Sequence, residues 1–288
     1  MSEEITGFVG LGNMGAPMAA NLAGAGWPLV VFDAAGTRDR APAAVSCAES
    51  LAEVASRART VVLSLPDGPV VDSVAEAIAG APSRVTARVV DTSTIGIAHA
   101  RAVHEKLAAA GIEYVDAPVS GGVSGATAAT VSIMVSGPAS SFEELRPMLD
   151  AFTGNAFHVG LEPGQGQAMK VLNNFLSGTA MAATSEAMAF GDSQGLDLAT
   201  MLDVVNVSSG RNTATSDKFV NRILTGTYDA GFSCPQMNKD LSLYREGLAQ
   251  AGGADPVSGA VADIWRRFLE NSTDADITRI YPYIKNEG

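Results

Sequence analysis

Seven short apolar runs of strand length divide the first 160 residues of this 288-residue chain, and none follows them. They are ITGFVG (5–10), PLVVFD (28–33), TVVLSLP (60–66), ARVVDTST (87–94), IEYVDAPVS (112–120), VSIMVSG (131–137) and NAFHVG (155–160). Between several of them lie helical patterns such as AHARAVHEKLAAAG, with small and apolar residues on one face and charges on the other. Strands alternating with helices predict an α/β fold with a doubly wound, largely parallel sheet whose ligand lies at the strands' C-terminal ends. From about residue 161 the pattern changes. Residues 163 to about 194 read as one helix of roughly thirty residues, longer than most in globular domains. Further on, DLATMLDVVNVSS (197–209) and DPVSGAVADIWRRFLENS (255–272) carry apolar residues at i, i+3 and i+4, with Trp265, Phe268 and Leu269 as packing candidates. The expected division is therefore 1–161 for the α/β part and 162–288 for an all-α part that opens with a long interdomain helix.

The first run ends directly in GLGNMG, and APMAANLAGAG follows with helical spacing. Strand, glycine-rich turn and helix is the order in which G-x-G-x-x-G works as the Rossmann dinucleotide fingerprint. Gly10 allows the tight turn, Gly12 lets a pyrophosphate approach the backbone, and Gly15 lets helix and strand pack closely, with Leu11, Asn13 and Met14 completing the loop. The helix N-terminus supplies N–H groups for the phosphates. Asp33 ends the second run, 18 residues after Gly15, where a carboxylate can accept from a ribose diol and repel the extra phosphate of NADP. NAD is the expected cofactor and NADP a possible one, since Arg38 and Arg40 follow closely. Leu65, Pro66 and Thr94 lie just past two strand ends, placed to line the cofactor groove. DAPVSGG (116–122) also lies at a strand end. Its Ser120, Gly121 and Gly122 offer a hydroxyl and unobstructed backbone N–H groups, a cradle for a carboxylate or equally an ordinary glycine-rich loop.

Composition narrows the function classes. A formal net charge of −12 repels a polyanion, so no nucleic-acid partner is expected. No run approaches the roughly 20 apolar residues of a membrane crossing, and MSEEITGFVG lacks the basic flank of a signal peptide, which predicts a cytoplasmic protein. Two cysteines and three scattered histidines match no disulfide framework or zinc spacing, so no metal is expected.

In GQGQAMKVLNNFL (164–176) a lysine interrupts an apolar helical face. Gly166, Lys170, Asn174 and Gly178 recur every four residues and share one stripe. A helical glycine costs about 1 kcal/mol relative to alanine, so two on the lysine's stripe imply a close approach by a ligand or another part of the protein. A buried amine shifts its pKa readily, which suits proton transfer. A solvent-facing lysine with a buried stem, or glycines used only for helix packing, satisfies the same spacing.

GLGNMGAPMAANL, DAPVSGG, GQGQAMKVLNN and NKDLSLY (238–244), in that order, resemble the four signature segments of the β-hydroxyacid dehydrogenase family. The resemblance implies a Rossmann domain joined by a long helix to an all-α domain, with substrate bound between them, and a homodimer or homotetramer. It implies that Gly10, Gly12 and Gly15 hold the dinucleotide, Asp33 the adenosine ribose, and Ser120, Gly121 and Gly122 the carboxylate of a small-molecule substrate. Lys170 matches the family's catalytic lysine, Asn174 its substrate-orienting partner, and Lys239 a lysine near the nicotinamide end, where it would depress the pKa of Lys170 by like-charge repulsion. Phe232 is expected in the pocket wall and Arg211 at the substrate's distal group. The implied reaction is hydride transfer between NAD and the carbinol carbon of a 3-hydroxy acid. Imine reduction on the same fold, or a non-catalytic NAD-binding sensor, are the competing readings.

Overall fold

The computed structural model describes residues 4–287; the reading made from the first three residues of the N-terminus lies outside them. The chain divides between Lys170 and Val171 into two compact units.

The first unit is built on nine strands: β1 (Thr6–Val9), β2 (Leu29–Phe32), β3 (Ser46–Cys47), β4 (Thr60–Leu63), β5 (Arg88–Asp91), β6 (Glu113–Asp116), β7 (Val119–Ser120), β8 (Ser132–Ser136) and β9 (Asn155–Gly160). Their order is β3-β2-β1-β4-β5-β6-β8-β7, with β9 paired to β8. From β3 to β6 every pairing is parallel, as the alternation predicts. Such strands are covered on both faces, so their side chains must be apolar throughout. Phe8, Val31, Val62, Val90 and Val115 enter one core and Val9, Val30, Val61, Val89 and Tyr114 the other. Each fully buried valine contributes about 1.5–3 kcal/mol. Strand order reverses at β1 and β4, which opens a crevice at their C-terminal ends.

Two features depart from the sequence reading. The run 112–120 forms two strands, because Pro118 has no N–H for a ladder and the chain turns there, so that β7 pairs antiparallel with β8. The two-residue edge strand β3 is too short to show a pattern.

A single helix, Gln165–Ser193, carries the chain out of the first unit. In the second unit it is joined by Leu198–Asn206, a π-helix Ala214–Ile223, Cys234–Gln250, Pro256–Asn271 and Ile280–Glu287. Their starts follow local chemistry: the Asp197 side chain accepts from Thr200 N, and Ser233 with Gln236 forms a reciprocal capping box. Trp265, Phe268, Phe219, Met237 and Leu241 fill this unit's core. Trp265 and Phe268 are buried as expected, and Leu269 is partly buried against the same core. No helix among the described residues is long and apolar enough to cross a membrane.

Candidate active site

In the first unit the loop after β1 meets the end of β4. Gly10 has φ +92° and its missing Cβ would lie 2.2 Å from Ser64 O, so only glycine fits. A Cβ on Gly15 would strike Gly10 O at 1.9 Å, which is the close packing expected of the third glycine. At Gly12 nothing lies within 4 Å of that position, leaving the open backbone that an approaching pyrophosphate requires. These residues fit a dinucleotide.

Asp33 follows β2 and reaches under the loop. One carboxylate oxygen accepts from Leu11 N at 2.7 Å and the other from Ala35 N at 2.8 Å. Arg40 Nη1 stands 3.8 Å from Asp33 Oδ2, while Arg38 is committed to Glu49 at the surface. Asp33 therefore braces the glycine loop. Leu65 N donates to Ser93 Oγ at 2.8 Å, which ties the loop after β4 to the one after β5 that carries Thr94. Pro66 is exposed beside Leu65.

Ser120 closes β7, and Gly122, with φ +66°, has nothing near its absent Cβ. Gly121 is different: a Cβ there would come within 3.1 Å of Val131, so its smallness serves packing under the loop.

The long helix carries Lys170, only 7 % exposed, and one turn on Asn174, 6 % exposed. In the first unit, a Cβ on Gly166 would lie 2.6 Å from Met134 O and 2.9 Å from Asp116 Oδ2. In the second, a Cβ on Gly178 would lie 2.8 Å from Met237 Sδ, and Gly178 O accepts from Trp265 Nε1 at 3.1 Å. Both glycines of the lysine's stripe thus admit protein atoms.

Beneath the first turn of that helix lies Asp116, wholly buried. Burial raises its pKa to about 6; hydrogen bonds from Gln167 oppose that rise and the nearby Asp91 adds to it.

In the second unit Asn174 Nδ2 donates to Asp240 Oδ2 at 2.5 Å, and Lys239 Nζ is 3.4 Å from the other oxygen, an ion-pair contact without hydrogen-bond geometry. Asp240, 2 % exposed, thereby gathers Asn174 and Lys239 and fixes which end of the Asn174 amide is the acceptor. Sequence reasoning missed it. A signal exists: Asp240 lies on the stripe of Met237, Leu241 and Tyr244, where an acid on an apolar helix face calls for a partner. Phe232 is half-buried against the helical core, and Arg211 is exposed in a turn whose backbone N–H bonds Ser208 O.

Comparison with known proteins identifies the family. Residues 5–160 match the family model described as the NAD binding domain of 6-phosphogluconate dehydrogenase, and residues 164–284 that described as NAD-binding of NADP-dependent 3-hydroxyisobutyrate dehydrogenase. The 3-hydroxyisobutyrate dehydrogenase of Pseudomonas aeruginosa is 41 % identical over 271 residues, covering 88 % of both chains. The structure of Mycobacterium tuberculosis 3-hydroxyisobutyrate dehydrogenase with L-serine superposes with a TM-score of 0.90 at 34 % identity, covering 99 % of this chain and 100 % of that one. A Streptomyces aurantiacus imine reductase, at 24 % identity and a TM-score of 0.65 over 98 % of this chain and 100 % of its own, shares the fold alone. The chain belongs to the β-hydroxyacid dehydrogenase family. It is an oxidoreductase that moves a hydride between NAD or NADP and a hydroxy acid.

Proposed function

We propose that the chain interconverts a small 3-hydroxy acid and the matching semialdehyde, with NAD preferred over NADP and Lys170 as general acid/base. What carries this reading is the burial of Lys170 one helical turn before Asn174, whose amide Asp240 orients. A lysine with only 7 % exposure is not a solvated surface charge, and a tunable amine beside a fixed amide is a proton-transfer pair. The cofactor, when bound, would accept the hydride in oxidation and give it back in reduction. In oxidation, neutral Lys170 accepts the hydroxyl proton of the substrate; in reduction, its ammonium polarises the carbonyl and returns the proton. Ser120, Gly121 and Gly122 take the carboxylate, with Gly122 as the open position, and Asn174 offers its amide to the reacting oxygen. Lys239 stands near the nicotinamide, with Phe232 in the pocket wall and Arg211 at the distal group. Gly10, Leu11, Gly12, Asn13, Met14 and Gly15 hold the phosphates, Asp33 the ribose, and Leu65, Pro66 and Thr94 the nicotinamide half.

The relatives named above point to 3-hydroxyisobutyrate and L-serine, both 3-hydroxy acids, as first substrates to try. The nucleotide-binding domain is read as 1–161 and the all-α domain as 162–288. A cytoplasmic homodimer or homotetramer completes the proposal. The test is a screen at 340 nm, in both directions and with both cofactors, over a panel of 3-hydroxy acids and semialdehydes. NAD binding without turnover of any panel member defeats the proposal.

A further inference from the structure

The long helix begins over a buried polar cluster that no step of the proposed reaction uses. At its centre is Gln167, 0 % exposed, three residues before Lys170. Its side-chain oxygen accepts from Ile95 N at 2.9 Å and Gly96 N at 3.1 Å. Its amide nitrogen donates to Asp116 Oδ1 at 2.7 Å and Ser93 O at 3.0 Å. Two acceptor lone pairs and two donor hydrogens are the whole capacity of a glutamine amide, and all four are used. The backbone is held by the same groups: Gln167 N donates to Asp116 Oδ2 at 3.0 Å, and Gly166 N to Ser136 Oγ at 3.0 Å, which in turn donates to that carboxylate at 3.1 Å. The side-chain bonds to Ser93 and Ile95 bracket Thr94.

We propose that Gln167 is a positioning residue for Lys170, locking the first turn of the long helix to Asp116 and to the Ser93–Gly96 loop that carries Thr94. The inference rests on the reading of Lys170 as acid/base. A satisfied buried network has one geometry, so it fixes both the axial position and the rotation of the turn it holds. Lys170 is three residues further along, about 4.5 Å up the same helix and therefore carried rigidly by that turn. Misplacement of a reacting group by about 1 Å costs on the order of a hundredfold in rate, so release of this lock appears in the chemical step.

The test is a double-mutant cycle on kcat, measured per NAD-binding site in the intact protein with 3-hydroxyisobutyrate or whichever screened 3-hydroxy acid turns over fastest. Gln167→Met keeps the length of the side chain and removes its hydrogen bonds. It is expected to lower kcat by about 10- to 100-fold with KM for hydroxy acid and for NAD changed less than about twofold. In a Lys170→Ala background the same substitution is expected to lower kcat by about twofold or less, because the amine that the lock positions is then absent. Equal losses from Gln167→Met in both backgrounds, or an unchanged kcat in the single variant, overturn the proposal while leaving the role of Lys170 intact. Near-normal turnover by Lys170→Ala overturns the underlying reading instead. Should Gln167→Met fail to fold, Asp116→Asn enters the same cycle.

Discussion

Replacing Asp240 with alanine tests whether the Asn174 amide is held as the geometry indicates. The substitution removes a hydrogen bond to a carboxylate, worth about 1.5–3 kcal/mol, and strands the Nδ2 group of Asn174. With Asn174 only 6 % exposed, water cannot readily take over, so the expected loss is about 2–3 kcal/mol. At roughly 2–4 °C per kcal/mol for a protein of this size, Tm falls by about 5–10 °C. Asp240→Asn keeps an oxygen for Asn174 and weakens chiefly the contact with Lys239, so its loss is expected to be smaller than that of Asp240→Ala. The two variants therefore form a ladder. Calorimetry gives the stabilities and the 340 nm rate gives kcat/KM, which should fall furthest in Asp240→Ala because Asn174 then rotates between its two amide ends. Combining Asp240→Ala with Asn174→Ala should cost less than the sum of the single losses, since the pair shares one interaction. Additive losses, or an Asp240→Ala variant within about 0.5 kcal/mol of the parent, refute the reasoning.

Lys170→Ala is expected to fold and bind NAD yet lose at least about a hundredfold in kcat, checked by dinucleotide titration beside steady-state rates. Asp33→Ser should weaken the bias against NADP and, because Leu11 N and Ala35 N lose their acceptor, lower Tm; kcat/KM for both cofactors and a melt report the two effects. Burial holds Asp116 up at about 6, so the folded state keeps a proton that the unfolded chain releases near pH 4. The stability linked to it is complete below about pH 4 and is lost as pH rises through about 6. The Tm of the parent should thus fall from pH 5 to pH 7 relative to Asp116→Asn, and parallel profiles would exclude that linkage. Gly166→Ala should destabilise by about 1–3 kcal/mol, and more than Gly178→Ala, because it meets the carbonyl of Met134 where Gly178 meets a flexible methionine tip.

Most of the sheet was legible because burial on both faces forces continuous apolar runs, and β1, β2, β4, β5, β6 and β8 each lie within one. What stayed hidden has local causes. Strand β3 takes two residues at an edge, too few to carry a period. The break at Pro118 is written in the sequence, yet Val119 and Ser120 continue the apolar run that precedes it, and only pairing with β8 shows that they turn away. The π-helix Ala214–Ile223 has no sequence signature, since its widened turn answers to packing around Phe219 and Ile223 rather than to residue preference.

The stripe Gly166–Lys170–Asn174–Gly178 shows why spacing alone left the lysine's role open. A four-residue repeat says which side chains share a face and nothing about what stands opposite. Space for reactants would require emptiness beside the glycines, and at Gly166 and Gly178 the missing Cβ positions instead meet Met134 O and Met237 Sδ. Those two glycines are packing glycines. Among the glycines of the candidate site, Gly12 and Gly122 have nothing within 4 Å and so have room beside them. Of the readings that spacing left open for these two glycines, close approach by protein is the one found, and the open positions lie in the loop after β1 and at the first residue of the short helix after β7. Lys170 itself is distinguished by burial. Among the stripe's four members it is the ionisable one, and burying an ammonium costs more than burying the Asn174 amide beside it.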